Sequence, residues 1–204
     1  MTISAKNLLK EAAQDALNNI KTILDHSALH ENFEKMVETI FQSLKSGGTL
    51  FVAGNGGSAA DAQHLVAELV VKLNQNRDPI RAVALTVDTS IITAAGNDFS
   101  YDDIFSRQLE ALARPNDVFL GITTSGNSPN ILKSFVVCRK QKVHTICLTG
   151  KDGGKSAKEN MADLHVIMPG PNTARIQEGH EILYHTLCYA LEKKLVESGT
   201  ISYR

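Results

Sequence analysis

The sequence predicts an α/β fold, a three-layer α/β/α sandwich around a five-stranded parallel sheet. From about residue 47 onwards, short apolar runs of strand length alternate with stretches of helical periodicity, the pattern of consecutive βαβ units. Four of the predicted strands end in turns rich in glycine and hydroxyl residues, where the carboxyl edge of a parallel sheet binds ligands. Because residues 1–204 contain no linker, repeat or low-complexity tract, we expect a single domain.

The elements follow from hydrophobic spacing. Residues 1–46 predict two helices, an N-terminal helical hairpin, because apolar residues recur at three- and four-residue intervals. Gly47-Gly48 is expected to end the second helix and to begin the α/β core of residues 47–204. The predicted strands are 49–53, 80–86, 117–123, 143–149 and 164–168, and a final long helix is predicted from about 173 to 198.

Composition excludes several classes of function. A formal net charge of -1 provides no electrostatic case for binding nucleic acid. No window approaches the roughly 18 uninterrupted apolar residues of a membrane span, and the first residues lack the apolar core of a signal peptide. We therefore expect a cytoplasmic protein without nucleic-acid or membrane partners. The three cysteines are far apart and form no disulfide framework, and Cys147 and Cys188 are interpreted as small core residues.

The first glycine-rich turn, residues 54–58, is the most informative stretch. It follows a buried strand and opens a helix, where backbone N–H groups can hold an anionic or hydroxylated ligand. His64 and Glu68 follow on one face of that helix, four residues apart. Such a pair can transfer protons or hold a metal. The combination indicates an enzyme for a small phosphorylated metabolite.

Two nucleotide-binding motifs are incomplete. Residues 54–59 match the glycine pattern of the dinucleotide fingerprint. That fingerprint also needs an acidic residue about 20 positions later, whereas Asp88 lies well beyond that distance. Residues 154–156 resemble the end of a P-loop, but Thr149 stands where its first glycine belongs. Both NAD and ATP binding are therefore disfavoured.

A hydroxyl-rich loop leaves the third strand at residues 123–129. Pro129 suits a first helical turn, and Ser128 is a natural N-cap. Capping explains Ser128 but not the hydroxyls upstream of it, which belong to Thr123, Thr124 and Ser125. Hydroxyls and backbone N–H groups at a helix start bind phosphate without any lysine. We predict a phosphate site here.

The last helix carries a second polar cluster. Gln177 and His185 are eight residues apart, about two turns, and project to neighbouring faces. His185 lies among apolar residues, where a lone histidine is usually structural, and spacing alone does not bring this helix to His64. Of the other histidines, His144 and His165 are interpreted as structural, and His26 and His30 as solvent-facing.

Five stretches together identify a resemblance: GNGGSAADAQHLVAEL (54–69), ALTVDTSIITAAGNDFSYDDIFSRQ (84–108), GITTSGNSPNILK (121–133), LTGKDGG (148–154) and RIQEGHEILYH (175–185). The chain resembles sugar isomerase (SIS) domain proteins, and more specifically the sedoheptulose 7-phosphate isomerases, also called phosphoheptose isomerases. The resemblance runs in one order along nearly the whole chain.

The resemblance implies a SIS fold, flavodoxin-like and doubly wound, whose N-terminal helices are used in oligomerisation. It implies a homotetramer with active sites at subunit interfaces. The implied reaction converts D-sedoheptulose 7-phosphate to D-glycero-D-manno-heptose 7-phosphate through an enediol(ate). This is the first step of nucleotide-activated heptose biosynthesis, a route that serves lipopolysaccharide.

The resemblance also assigns residues. The implied acid/base pair is Glu68 and His185, and which of them acts first stays open. The implied substrate-binding residues are Asn55, Gly56, Gly57, Glu68, Asn97, Asp98, Thr123, Thr124, Ser125, Ser128 and Gln177. One Zn²⁺ per subunit is implied, held by His64, Glu68, Gln177 and His185. Thr123 replaces a common serine and keeps the hydroxyl, whereas Lys72 replaces a common arginine and loses its planar fork.

Two other functions occur among SIS-domain proteins. Some SIS relatives are non-catalytic tetramers that bind the bacterial replication initiator but lack the full acid/base set. Glu68, Gln177 and His185 are all present here, which favours an enzyme. Sugar-phosphate-sensing regulators of this family carry a separate DNA-binding domain, and residues 1–46 are too short and too acidic to resemble one.

Overall fold

The computed structural model describes residues 4–204. Within that range the α-helices are α1 Ala5–Leu24, α2 Ser27–Lys45, α3 Gly57–Val70, α4 Thr89–Asp98, α5 Ser106–Leu112, α6 Pro129–Gln141, α7 Gly154–Lys158 and α8 Thr173–Glu197. A short 3₁₀ helix spans Tyr101–Asp103. The strands are β1 Leu50–Gly54, β2 Ala82–Ala84, β3 Val118–Thr123, β4 His144–Gly150 and β5 Leu164–Met168.

The five strands form one parallel sheet in the order β2-β1-β3-β4-β5, which confirms the predicted fold class. This is the strand order of flavodoxin-like doubly wound sheets. The direction of strand progression reverses between β1 and β3, whose registers align Leu50 with Val118 and Gly54 with Ile122. Ligands of such sheets bind in the crevice beyond the carboxyl ends of these two strands.

Alternate residues of β1 face different helical layers, as the two-residue period of a strand requires. Leu50 and Val52 pack with helices α2, α3 and α8 in one apolar cluster. Phe51 and Ala53 pack with α5 and α6 in the other cluster. The buried ring of Phe119, on β3, meets Phe135 of α6 with ring centroids 5.6 Å apart. The helices therefore cover both faces of the sheet, as predicted.

The edge strand β2 is shorter than the predicted strand of residues 80–86. Only Ala82–Ala84 pairs with β1, through the register Leu50–Val52 to Ala82–Ala84. The backbone N–H of Ile80 instead donates to the carbonyl of Leu69, 3.1 Å away, at the end of α3. Because an edge strand pairs with only one neighbouring strand, the residues at its ends can form hydrogen bonds with other elements of the fold.

The two N-terminal helices have different surroundings. Helix α2 contributes Met36 and Ile40, both fully buried, to the core beside α8. Helix α1 lies against α8, where Asn19 Nδ2 donates to the carbonyl oxygen of Arg175 at 3.1 Å, while Leu9 and Leu24 are 72% and 68% exposed. Helix α1 thus carries an uncovered apolar face. Among residues 4–204, no helix is both long enough and apolar enough to span a membrane.

Candidate active site

The turn after β1 is shaped by two glycines and by the last helix. Gly56 has a φ of 56°, in the left-handed region that favours glycine. A Cβ added to Gly57 would overlap Nε2 of Gln177, so the Gln177 amide lies directly against this backbone. Helix α8 therefore reaches the β1 turn, which sequence spacing alone did not establish.

Asn55, the first residue of that turn, is held across the sheet crevice. Its side-chain amide exchanges two hydrogen bonds with the amide of Asn130, each 2.9 Å long. The hydroxyl of Tyr101 also donates to Asn55 Oδ1, at 3.1 Å. Since Asn130 is buried in the first turn of α6, these bonds join the two loops that flank the switch point.

The hydroxyl-rich loop follows β3 and leads into α6. Ser128 occupies the N-cap position as predicted, but its side chain makes no capping hydrogen bond. Its Oγ lies instead 2.9 Å from Oγ1 of Thr123. Thr124 and Ser125 are half-buried beside it. The predicted hydroxyls therefore gather at the start of a 13-residue helix, at the sheet edge where anions bind.

The segment that resembled a P-loop supports this loop. The backbone N–H of Lys155 donates to Asn127 Oδ1 at 2.8 Å, and that of Ser156 donates to the carbonyl of Gly126 at 3.0 Å. A Cβ on Gly126 would collide with the carbonyl of Gly153. These N–H groups are thus committed to the neighbouring loop, which agrees with the sequence argument against ATP binding.

A second group of polar side chains lies between α3 and α8. His64 Nε2 is 3.1 Å from Glu68 Oε1, and the rings of His64 and His185 are edge-on with centroids 4.9 Å apart. One ligand atom each from His64, Glu68 and His185 lies within 4.8 Å of the others. The structure therefore brings together the predicted acid/base pair and three of the four predicted metal ligands.

This trio has donors that suit a divalent metal. Two imidazoles and one carboxylate, with a further position open, form a ligand set that zinc uses in catalytic sites. All three side chains are partly buried and remain accessible to solvent. Gln177 lies against Gly57, and its place as the fourth ligand stays a prediction.

Comparison with known proteins identifies the family. A SIS domain model matches residues 14–150. The chain is 51% identical over 166 residues to the phosphoheptose isomerase of Paramagnetospirillum magneticum, covering 81% of this chain and 85% of that protein. It is 41% identical over 194 residues to that of Sulfurimonas denitrificans, covering 95% and 98%. The chain belongs to the phosphoheptose isomerase group of the SIS domain family.

A solved structure supports the same grouping. The phosphoheptose isomerase from Neisseria gonorrhoeae superposes with a TM-score of 0.85 at 37% identity, covering 93% of this chain and all of that one. The fold described above is therefore shared with a phosphoheptose isomerase along nearly its whole length.

Within one chain of this protein, the β1 turn is separated from the cluster of His64, Glu68 and His185. Gly57 and Glu68 are both on α3, and a rise of 1.5 Å per residue places them roughly 16 Å apart along the helix axis. The turn and the hydroxyl-rich loop at residues 123–128 thus form one polar group, and His64, Glu68 and His185 form another further along α3 and α8. Asn97 and Asp98 end α4, where both are exposed and hydrogen-bonded to each other at 2.8 Å. Their predicted substrate contact stays a prediction.

Several residues of the site were missed by sequence reasoning. The hydroxyl of Tyr184 lies 2.9 Å from Nδ1 of His64, and Asn130 holds Asn55. Asp61, one turn before His64, has a buried Oδ2 without a hydrogen-bond partner among residues 4–204. Burial, with a smaller contribution from Glu181, raises the pKa of Asp61 to about 6. The available signal was helical register: Asp61, His64 and Glu68 share one face of α3.

The remaining predictions about titratable groups have mixed outcomes. Cys147 and Cys188 are buried, as predicted, and so is Cys138; burial raises the pKa of each thiol to about 12. His165 bonds the buried Ser156, with Nε2 and Oγ 3.0 Å apart, as expected for a structural residue. His26 is less solvent-directed than predicted, because its Nδ1 accepts from the backbone N–H of Leu29 and caps α2.

Proposed function

We propose that this protein is an aldose–ketose isomerase that converts D-sedoheptulose 7-phosphate to D-glycero-D-manno-heptose 7-phosphate, the first step of nucleotide-activated heptose biosynthesis. One observation carries the proposal: Glu68 and His185, from distant parts of the chain, meet beside His64 with ligand atoms within 4.8 Å. The names of the relatives at 41–51% identity supply the substrate class.

Glu68 and His185 are the acid/base pair of this reaction. Isomerisation moves a proton between C1 and C2 through an enediol(ate), so one group must remove a carbon-bound proton while another protonates the carbonyl oxygen. A carboxylate and an imidazole placed together between α3 and α8 can do both. Partial burial limits the water that competes for these protons.

The substrate is bound by the switch-point loops. The hydroxyls of Thr123, Thr124, Ser125 and Ser128, with the N-terminal N–H groups of α6, bind the phosphate. Asn55, Gly56, Gly57 and Gln177 hold the sugar hydroxyls, and Asn97 and Asp98 add a further contact. The amide pair of Asn55 and Asn130 keeps both loops in register for this task.

The proposal includes one Zn²⁺ per subunit, held by His64, Glu68, Gln177 and His185. The two-imidazole, one-carboxylate set fits zinc. When bound, the ion would polarise the substrate carbonyl and hold the ligands in place. With the ion bound, proton transfer by Glu68 and His185 would use the carboxylate oxygen and the ring nitrogen that do not ligate it.

A homotetramer with sites at subunit interfaces completes the proposal. The separation of roughly 16 Å along α3 between Gly57 and Glu68 is bridged if one subunit supplies the phosphate loop and another supplies the trio. The exposed apolar face of α1, which includes Leu9 and Leu24, is the surface for such contacts. We place the reaction in the cytoplasm, where phosphorylated sugars are made.

The test is incubation of the purified protein with sedoheptulose 7-phosphate, followed by identification of the product. We expect the heptose 7-phosphate aldose from the wild type, and at least a thousandfold lower turnover from Glu68→Gln and from His185→Gln. His144→Gln, an exposed histidine at the start of β4, is the matched control and should retain full activity. A preference for ribose or fructose phosphates, or normal turnover in either active-site variant, would overturn the assignment.

A further inference from the structure

Arg77 is a buried cation in the segment between α3 and β2, with 3% of its surface exposed. Its guanidinium donates to the carbonyls of Glu68 and Leu69, both at 2.8 Å, and to that of Asp78 at 2.9 Å. Its Nε donates to Glu192 Oε2 at 3.0 Å. A buried charge requires such partners, and the planar fork of arginine can serve several of them at once.

Two of these hydrogen bonds are made at the C-terminal end of α3. The carbonyls of Glu68 and Leu69 lie in the last turn of the helix, where backbone carbonyls have few or no intrahelical partners. A positive charge at this end also complements the helix dipole. Arg77 therefore holds the backbone of Glu68, the residue whose carboxylate lies beside His64.

The fourth bond reaches the other helix of the site. Glu192 follows His185 on α8 by seven residues, about two turns, and so lies on a similar face. Glu192 is 2% exposed, and its carboxylate pairs with Arg77 inside the protein. One guanidinium thus joins the end of α3, which carries Glu68, to α8, which carries His185.

The segment that carries Arg77 is itself anchored by the C-terminal tail. Asp78 N–H donates to the carbonyl of Ser202 at 3.0 Å, and Arg204 N–H donates to the carbonyl of Asn76 at 2.9 Å. Arg204 Nε also donates to Asp78 Oδ1 at 2.8 Å. These bonds flank Arg77 on both sides, so its backbone is held in place independently of its side chain.

We propose that Arg77 and Glu192 form a positioning clamp that sets the spacing between Glu68 and His185, and through it metal affinity and turnover. The role rests on the proposed function, since it acts on the proposed acid/base and metal centre. Replacing a buried ion pair by apolar residues of similar volume is often neutral or stabilising. The ion pair of Arg77 and Glu192 would then add little stability, and its role would be to fix α3 and α8 relative to each other.

The experiment compares the full-length double variant Arg77→Met/Glu192→Met with wild type. The double variant leaves no unpaired buried charge, so it should fold, with lower stability than wild type because the carbonyls of Glu68 and Asp78 lose their donor. We expect its turnover number to fall at least tenfold, its KM to change less than threefold, and its Zn²⁺ affinity, measured by chelator competition on metal-free protein, to fall about tenfold.

Two further variants complete the design. Arg77→Lys keeps the charge but loses the fork, so it should recover part of the lost turnover and Zn²⁺ affinity. Arg139→Met removes an arginine of α6 that bonds the loop carbonyls of Asn160 and Met161, far in sequence from α3 and α8, and should match wild type. It controls for the loss of an arginine that holds loop carbonyls.

The outcomes separate the clamp from the proposed function. A folded double variant with wild-type turnover and Zn²⁺ affinity would overturn the clamp. If the double variant does not fold, Arg77→Lys decides: loss of stability alone, with unchanged turnover and Zn²⁺ affinity, would also overturn it. If wild type does not isomerise the sugar, the proposed function fails, and the Zn²⁺ affinities of the same proteins still decide the clamp.

Discussion

The phenol oxygen of Tyr184 lies 2.9 Å from Nδ1 of His64. Burial is the main cause that raises the pKa of Tyr184, and the negative charges of Glu181 and Asp61 raise it further. The phenol therefore stays protonated at neutral pH. Its hydrogen bond turns the imidazole so that Nε2 faces Glu68 Oε1, 3.1 Å away. The outer nitrogen of a metal-binding histidine commonly has such a partner, which fixes the orientation of the ring.

Removal of this phenol oxygen should weaken metal binding at the proposed zinc site. We expect Tyr184→Phe to lower Zn²⁺ affinity by roughly 10–100-fold and stability by only about 1 kcal/mol, the typical value of one hydrogen bond. Chelator competition and thermal unfolding measure the two effects. Tyr189→Phe, an exposed tyrosine on the same helix, is the control. Equal Zn²⁺ affinity in Tyr184→Phe and wild type would show that His64 needs no such partner.

The phosphate loop should be sensitive to a single methyl group at Gly126. Gly126 has a φ of 67°, and an added Cβ would collide with the carbonyl of Gly153. We expect Gly126→Ala to displace the loop, raise KM for the phosphorylated sugar at least tenfold and weaken the binding of inorganic phosphate. Both are measurable by steady-state kinetics and by titration calorimetry.

Gly96→Ala provides the matched control for that variant. Gly96 lies within α4, and a Cβ there meets nothing within 4 Å. Alanine in a helix interior is more favourable than glycine by roughly 0.5–1 kcal/mol, so this variant should be slightly more stable and fully active. An unchanged KM in Gly126→Ala would mean that the loop does not bind the phosphate.

The sheet was predictable because its information is local. Apolar runs of strand length predicted all five strands, four of them ended by glycine and hydroxyl residues, and the strand order placed the predicted ligand loops at one crevice. The edge strand β2 was predicted too long because its neighbours decide its length: Ile80 bonds the end of α3 instead of continuing the ladder. Propensity carries no information about such a long-range hydrogen bond.

The site was only partly predictable from residue spacing. His64 and Glu68 could be paired because they are four residues apart on one helix, whereas the packing that brings His185 to them joins α3 to the far end of the chain. Without the family resemblance, His185 would have been interpreted as a core histidine. The roles of Asn130 and Arg77 could not be predicted, because the role of a buried polar residue becomes clear only when its partners are known.

The exposed apolar face of α1 should determine assembly. Leu17 and Leu24 are seven residues apart on this helix, and they are 47% and 68% exposed in one chain. We expect the double variant Leu17→Glu/Leu24→Glu to dissociate the proposed tetramer and to abolish isomerisation, because the proposed sites need two subunits. Light scattering coupled to gel filtration measures the mass. The control Glu11→Lys reverses an exposed charge about 120° around the helix from Leu17 and should leave the proposed tetramer intact, and an active monomer would refute the interfacial site.

The buried histidine of α8 should make stability depend on pH. His180 is fully buried, with Nε2 3.1 Å from the carbonyl of Thr149, and its Nδ1 has no hydrogen-bond partner within residues 4–204. Burial disfavours the charged imidazolium and lowers the pKa of His180 to about 4. The unfolded chain, with an ordinary histidine pKa near 6.5, then binds a proton at pH values where the folded chain does not. Its contribution to stability is therefore complete above pH 6.5 and lost as pH falls towards 4.

Substitution of His180 should remove this dependence. The pKa difference corresponds to about 3 kcal/mol of unfolding free energy in total, of which about 2 kcal/mol is lost between roughly pH 7 and pH 4.5. In His180→Gln the amide can still donate to Thr149, so this variant should lose less stability on acidification than wild type. Urea unfolding at fixed protein concentration, at pH 7.5, 6.0, 5.0 and 4.5, measures the difference. His165, whose pKa is also lowered by burial, acts in the same direction in both proteins and cancels in the comparison. Parallel pH profiles would show that His180 is protonated in the fold despite its burial.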